Sequence, residues 1–472
     1  MHQKTMSNPA PAHSAPDGTL DARTRRLLEG PIAPTLLRMA APNMLVMVAQ
    51  ASAGLIETYF IGKLGTDALA GMALVFPLVM LMQMLSAGAI GGGISSSIAR
   101  ALGARRRADA DDLVFHALAA SLFLGLVYMV FMLAGGRWLY GRMGGSGAAL
   151  EAALVYSHWV FAGALLVWAF NALASVIRGT GNMAVPAWVT FIGTLALVPL
   201  SPLLIFGWGP VPGMGIAGGA LALLIFYAGG TLVLALYLRS PRSLLKPSLA
   251  AVKWRLALFG DILRVGVVAS ISSISTNLAI AIATALAATF GVAAVAGYGT
   301  ASRLEYLLVP LVFGLGGPLL AMVGTCIGAG KHDRALQAAW IGAAIAFAVC
   351  EVIGLSAALF PIQWLSLFDT DPAMLETGSL YLRIVGPVYG FFGLGLVLYF
   401  ASQGAGRLLW PVIGNGVRLA IAAVGGLLAL HAGLGLGWVF AAQGAAIVAY
   451  GLVNASAVAL GAWFTINERK TS

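Results

Sequence analysis

The chain has 472 residues, 60% of them hydrophobic and 9% charged, with a formal net charge of +10. A soluble domain carries roughly 25% charged residues, so this chain cannot cover its surface with polar side chains, and a water-soluble fold is excluded. A mean hydropathy of +0.92 and 60 glycines fit closely packed membrane helices, where small residues let backbones approach.

Residues 1–30 are polar, with no apolar core, and read as a disordered cytoplasmic tail rather than a signal peptide. After them come twelve apolar runs, near 34–60, 69–99, 112–135, 152–177, 186–206, 215–238, 262–289, 295–327, 337–361, 379–402, 409–431 and 437–464. Each reaches or approaches the ~20 residues a helix needs to cross a bilayer. The expected fold is an all-α membrane protein of twelve transmembrane helices. Six lie in an N-terminal bundle (31–240) and six in a C-terminal bundle (261–465), with a cytoplasmic linker at 241–260 and a tail at 466–472.

The first run is uncharged from Met39 to Ile56 and then meets Glu57. Such an acid is either an interfacial residue paired with Lys63 or a proton or cation site within the membrane. The second run carries Gln83 and the triplet Gly91-Gly92-Gly93, a place to bend; the fourth carries Asn171. The eighth holds Arg303, Glu305, Tyr306 and the Gly316-Gly317-Pro318 step, a second place to bend. Residues two apart do not face each other on a helix, so Arg303 and Glu305 need other partners, Arg383 being one choice for Glu305. Glu351 lies within the ninth run, Tyr381 and Arg383 open the tenth, and Arg418 lies inside the eleventh. Glu305 is a second coupling candidate, and Arg303 and Arg418 read as structural buried charges. Cys326 and Cys350 fall in apolar runs with no metal spacing and read as buried thiols.

Lys and Arg alternate by loop. Of the 27, only Lys63, Arg137 and Arg142 fall in loops on one side, and Arg303, Arg383 and Arg418 lie within runs; the rest share the other side. The positive-inside rule then puts both termini in the cytoplasm. The same pattern removes nucleic acid as a partner, because the charge tracks alternate loops rather than one face. HExxH, GxSxG and Walker A patterns are absent, so neither an enzyme nor an ATP-driven pump is expected.

The halves repeat. LGTDALAG (Leu64–Gly71) resembles FGVAAVAG (Phe290–Gly297), ALGARRRADA (Ala101–Ala110) resembles CIGAGKHDRA (Cys326–Ala335), and RGTGNMAVP (Arg178–Pro186) resembles QGAGRLLWP (Gln403–Pro411). The last two pairs stand 225 residues apart and the first 226. Six helices per half keep both halves in one orientation, so a pseudo-twofold axis along the membrane normal should relate them.

With Ala41-Pro42, ETYFIGKLGTDALAG, the ALGARR and CIGAGK loops, and the RGTGN and QGAGR loops, the chain resembles the multidrug and toxic compound extrusion (MATE) transporters over about residues 30–465. The resemblance implies cation-coupled export of organic compounds, usually cationic and amphiphilic, by alternating access. It carries the coupling acid of the DinF-type branch onto Glu57, where Asp is usual, and an Asn of helix 4 onto Asn171. The branch's Asn and Asp of helix 5 fall near Leu197 and Ser201, and its Thr of helix 6 near Gly219, so those ligands are lost. The NorM-type acids of helices 7 and 10 have no counterpart beyond Asp261 and Glu376. One carboxylate suffices for a proton, whereas sodium wants several oxygens, so a transported proton is expected, with sodium as the alternative, and no bound cofactor. Met47, Gln50, Tyr59, Phe76, Met80, Asn277 and Tyr306 are candidate cavity residues, since aromatic faces attract organic cations and Met adapts to varied shapes. Small organic substrates and membrane lipids are the expected partners, and a monomer in a bacterial inner membrane the expected state. A lipid-linked oligosaccharide flippase and a transport-dead scaffold are the alternatives.

Overall fold

The computed structural model describes residues 20–248, 250, 252–368 and 370–463, with the backbone alone at 48–56, 211 and 306. The expected tails at 1–19 and 464–472 lie outside the described residues. A short helix α1 (Ala22–Glu29) precedes α2 (Ile32–Gly62). The second span is α3 (Thr66–Gln83), a π-helical stretch (Met84–Ile90) and α4 (Gly91–Gly103). Then come α5 (Arg107–Arg142), the pair α6 (Gly147–Ala162) and α7 (Ala164–Gly179), α8 (Ala184–Phe206), a two-residue hairpin and α9 (Ile216–Arg239). The C-terminal half has α10 (Leu256–Ala288), α11 (Val292–Gly328), α12 (His332–Leu359), the short α13 (Pro361–Leu365), α14 (Pro372–Val385), a 3-10 turn (Gly386–Val388), α15 (Tyr389–Ala405), α16 (Leu409–His431) and α17 (Leu436–Ala459). Among the described residues ten helical runs are long and apolar enough to cross a membrane, and α6 with α7, bent by 47°, makes an eleventh. The 31-residue α2 completes twelve.

The internal repeat is visible in the backbone. Gly65 (φ 116°) and Gly291 (φ 103°) start α3 and α11; Arg105 (φ 58°) and Gly330 (φ 71°) turn the next loop; Gly181 (φ 77°) and Gly406 (φ 72°) follow α7 and α15. Each pair occupies equivalent positions of the three repeated motifs, where the turn needs a left-handed residue. Arg105 pays strain that Gly330 avoids. The break at Gly163 between α6 and α7 likewise matches the 3-10 turn between α14 and α15. The second span carries its π-helical stretch just before the glycine triplet, while α11 is one continuous helix that contains Gly316, Gly317 and Pro318.

The two halves meet where α4 packs against α10, α11 and α15. The seam is bare backbone: a Cβ on Gly103 would sit 2.0 Å from the Thr325 carbonyl oxygen, and one on Gly328 would sit 2.1 Å from that of Arg100. These two contacts exchange under the repeat, so the pseudo-twofold axis passes between α4 and α11. Arg100 donates to Ser96 and, across the seam, to the Gly404 carbonyl at 3.3 Å. Gln403 donates to the Gly88 carbonyl at 3.3 Å. The seam lies at the end bearing the Arg105–Arg107 and Lys331 loops, so the halves are joined at their basic end.

Residues 22–29, expected in a disordered tail, form α1. The Asp21 side chain caps it, accepting from the amides of Arg23 (2.9 Å) and Thr24 (3.0 Å). Leu27 and Leu28 are buried in the core of the C-terminal half, together with Leu36 and Ala40 of α2, whereas Ile61 at the far end of α2 belongs to the N-terminal core. Helix α2 therefore straddles both halves, with Pro42 inside it. The linker is fastened to the start of α5. The Lys246 amide donates to Asp111 (2.7 Å), and Arg255 pairs with Asp109 (2.6 Å) and Asp112 (3.1 Å). Above all, hydrogen bonding to the Asp109 carboxylate raises the Arg255 guanidinium pKa further above its ordinary value.

Candidate functional site

Glu57 projects from the last turns of α2 toward α6, α8 and α9. The Tyr156 hydroxyl of α6 donates to its Oε1 at 2.9 Å. The carboxylate edges a cavity of about 20 Å³, lined also by Thr194, Leu197, Val198 and Ser201 of α8 and by Gly219, Ala222 and Leu223 of α9. That is room for one water molecule. Leu197, Ser201 and Gly219, the positions where the resemblance expects lost ligands, thus share one pocket with Glu57. A Cβ on Gly219 would lie 3.5 Å from Glu57 Oε1. The Ser201 hydroxyl is buried and lacks a hydrogen-bond partner among the described residues. Pro199 and Pro202 lie inside α8. Having no N–H, they leave the carbonyls of Leu195 and Val198 without their helical donors, and Val198 lines this pocket. No basic side chain lines the pocket. Lys63 does not pair with Glu57; its ammonium stands 4.6 Å over the Tyr59 ring.

Asn171 is buried on α7 but does not bond to Glu57. It donates to Gln83 Oε1 (2.9 Å) and Ser86 Oγ (2.8 Å), at the entry to the π-helical stretch. Gln83 in turn donates to the Tyr227 hydroxyl, and Tyr227 lies within electrostatic reach of Glu57 and Tyr156. A hydrogen-bonded chain therefore runs from Ser86 through Asn171 and Gln83 to Tyr227, which lies near the carboxylate without bonding to it.

The second candidate has its own surroundings. Glu305 of α11 accepts from Tyr381 (3.2 Å) and Tyr389 (3.4 Å). Arg418 of α16 is within electrostatic reach and is 9% exposed. Its guanidinium lies 5.6 Å from the Phe392 ring centre and 5.8 Å from that of Tyr450. Arg303 is not a buried charge: it is exposed and stacks over Phe368 at 5.3 Å, because its position on α11 faces away from the helix packing. Arg383 is exposed as well and does not reach Glu305. Glu351 accepts from the Gly390 amide at 2.8 Å, satisfying a donor that the 3-10 turn leaves free at the start of α15.

Among the expected cavity residues, Tyr59, Phe76 and Met80 are exposed, Met47 is half-buried, and none lines the Glu57 pocket. Asn277 of α10 reaches across the halves to Met84 Sδ at 3.6 Å while donating to the Ser273 carbonyl at 2.9 Å. The side chains of Gln50 and Tyr306 lie outside the described residues. Tyr156, Tyr227 and Thr194 were not singled out from the sequence. The repeat carried a signal for one of them: Tyr156 stands 225 residues before Tyr381, and each tyrosine donates to a glutamate.

The pattern that defines the MatE family matches residues 42–203 and 269–428. The chain is 28% identical over 383 residues to a protein of Shewanella oneidensis named FAD transporter, covering 80% of this chain and 82% of that one. A solved MOP superfamily transporter from Pyrococcus furiosus superposes with a TM-score of 0.85 at 26% identity, over 94% of this chain and 98% of that one. An outward-facing multidrug resistance MATE family transporter superposes with a TM-score of 0.86 at 25% identity, over 95% of this chain and all of that one.

Proposed function

The chain belongs to the MatE family of membrane transporters, and from that premise we propose that it is a proton-driven antiporter exporting amphiphilic organic compounds across a bacterial inner membrane. The observation that carries the reading is the Glu57–Tyr156 pair at the rim of a one-water cavity that has no basic lining residue. Burying an ionised carboxylate at membrane depth costs at least ~2.5 kcal/mol on insertion scales, and among the described residues no basic side chain lines this one's pocket. A proton neutralises it. Sodium would need several oxygens converging on it. Leu197 and Gly219 supply none from their side chains, and Thr194, Ser201 and the Val198 carbonyl are the oxygens that would have to join Glu57, which makes sodium the rival that the test below includes.

The straddling of α2 gives a route from proton to conformation. Its first half sits in the C-terminal core and its last turn in the N-terminal core, with Pro42 between, where the helical hydrogen-bond ladder is interrupted. Adding or removing a charge at Glu57 changes how well the end of α2 packs on α6, α8 and α9. The two facing states bury that end differently and so differ in proton affinity. The basic end is closed by the α4–α11 seam, leaving the opposite end for release. With the positive-inside rule placing the basic end in the cytoplasm, a membrane potential adds about 2.3 kcal/mol per 100 mV for each proton that returns.

Relatives are named for flavin dinucleotide and for drugs, so the test uses both chemistries. The purified protein goes into liposomes loaded with a fluorescent organic cation or with FAD, under a proton gradient alone and then a sodium gradient alone. Export driven by protons alone is the expected result. Export driven by sodium alone, or by neither, would overturn the coupling proposal, and the responding cargo fixes the substrate class.

A further inference from the structure

A larger cavity, of about 380 Å³, lies between α1, the start of α2 and the loop joining α7 to α8. Three arginines line it: Arg23 and Arg26 from α1, and Arg38 from α2. No carboxylate lines it, and among the described residues none of the three takes part in an ion pair. Some basic groups on this face are matched, Arg106 and Arg255 to Asp109 and Arg334 to the carbonyls of Leu27 and Gly30; what sets Arg23, Arg26 and Arg38 apart is that they line one space together. Arg23 is half-buried and Arg26 and Arg38 are exposed, and three guanidiniums of like charge lining one space give it a positive potential that suits an anion. Their planar forks fit phosphate oxygens two at a time. The rest of the wall is largely apolar, including Pro34, Met39 and Pro42. The lining is that of a site for a molecule with an anionic head and a hydrocarbon body.

The site also spans the two halves. Leu27 and Leu28 are buried in the C-terminal core, and the Leu27 carbonyl accepts from Arg334 Nε at 3.0 Å. On its other side Leu27 meets the N-terminal half, for a Cβ on Gly181 would lie 2.9 Å from Leu27 Cδ1. Helix α1 thus bridges both halves where the seam is closed.

We propose that this cavity binds the phosphate headgroup of an anionic phospholipid from the leaflet on the basic side. Bound there, the headgroup neutralises Arg23, Arg26 and Arg38 together and holds α1 across the two halves, favouring the state with the basic end closed. The cytoplasmic leaflet is where anionic lipids concentrate, and basic pockets between transmembrane helices on that side suit such headgroups.

The test is the thermal unfolding midpoint of the full chain in neutral detergent, titrated with phosphatidylglycerol, phosphatidylcholine or inorganic phosphate. Phosphatidylglycerol should raise the midpoint by several degrees, and the other two should leave it in place. The R23Q/R26Q/R38Q variant should lose that rise, and R25Q/R239Q/R242Q, with equal charge removed elsewhere, should keep it. Should the cavity variant fold poorly, R38Q alone should weaken the apparent lipid affinity about tenfold, the scale of one lost charge-assisted hydrogen bond. An equal rise in the cavity and control variants, or an unchanged affinity in R38Q, would overturn the site. A full rise with inorganic phosphate alone would overturn the lipid as its occupant.

Discussion

Each half of the molecule sets a glutamate against a tyrosine, and the two tyrosines, Tyr156 and Tyr381, are repeats of one another. The glutamates are not: Glu57 comes from the first span of its half, and Glu305 from the second span of the other. Their neighbours differ in the same sense. Glu57 faces a small cavity with no basic lining residue, whereas Glu305 has a second tyrosine, Tyr389, and the charge of Arg418 near it. A duplicated scaffold has kept the donor and moved the acid. On the proposed reading, a carboxylate at membrane depth with no basic neighbour in its pocket is the one poised for proton exchange, and one within electrostatic reach of a buried cation is structural.

The sharpest way to break this comparison is to neutralise each acid in turn. Glu57→Gln should abolish proton-driven export while leaving a folded protein, and Glu305→Gln should leave export responsive to the proton gradient; liposome efflux with a matched melting curve reads both. A pair of equal losses would erase the distinction. Next in size is the charge opposite Glu305. Arg418→Met should lower the unfolding midpoint, since it removes the cation whose field reaches Glu305, and adding Glu305→Gln should recover part of that; simple additivity in the double variant would mean that the two do not interact.

The tyrosines give a smaller contrast. Tyr156→Phe removes the hydroxyl that holds Glu57, and a lost charge-assisted hydrogen bond of about 1.5 kcal/mol should slow export about tenfold. Tyr381→Phe should lower the unfolding midpoint instead, with export rates near those of the parent. Rates and midpoints moving together in both would undo the division of roles. The smallest effect sharpens the cation question. L197N/S201D/G219T restores the oxygen-bearing residues that the family resemblance places beside Glu57, and it should add a modest sodium response to export. No sodium response in a variant that still exports would show that the pocket's shape, not its missing oxygens, excludes the ion.

What the sequence revealed depended on how local each signal was. Twelve spans, the repeat and Glu57 were legible because each breaks or obeys a pattern within one stretch of chain. Leu197, Ser201 and Gly219 were legible through the resemblance, and the structure brings all three to one pocket with Glu57. Tyr156 was not, because a tyrosine in an apolar run is ordinary and its partner lies 99 residues away. Arg303 was misplaced because an arginine in a helical run shows its depth only once the neighbouring helices are packed. Helix α1 was missed because its stability comes from an Asp21 cap and from two leucines that find their core some 300 residues away, around Cys326 and Arg334.

The central claim is that one proton, on Glu57, is exchanged for substrate. It is tested most directly by adding an exported compound to purified protein in weakly buffered detergent and reading proton release with a pH-sensitive dye. The account predicts release of about one proton per bound substrate in the parent and in Glu305→Gln, and none in Glu57→Gln. Release that persists in Glu57→Gln, or disappears in Glu305→Gln, would contradict it.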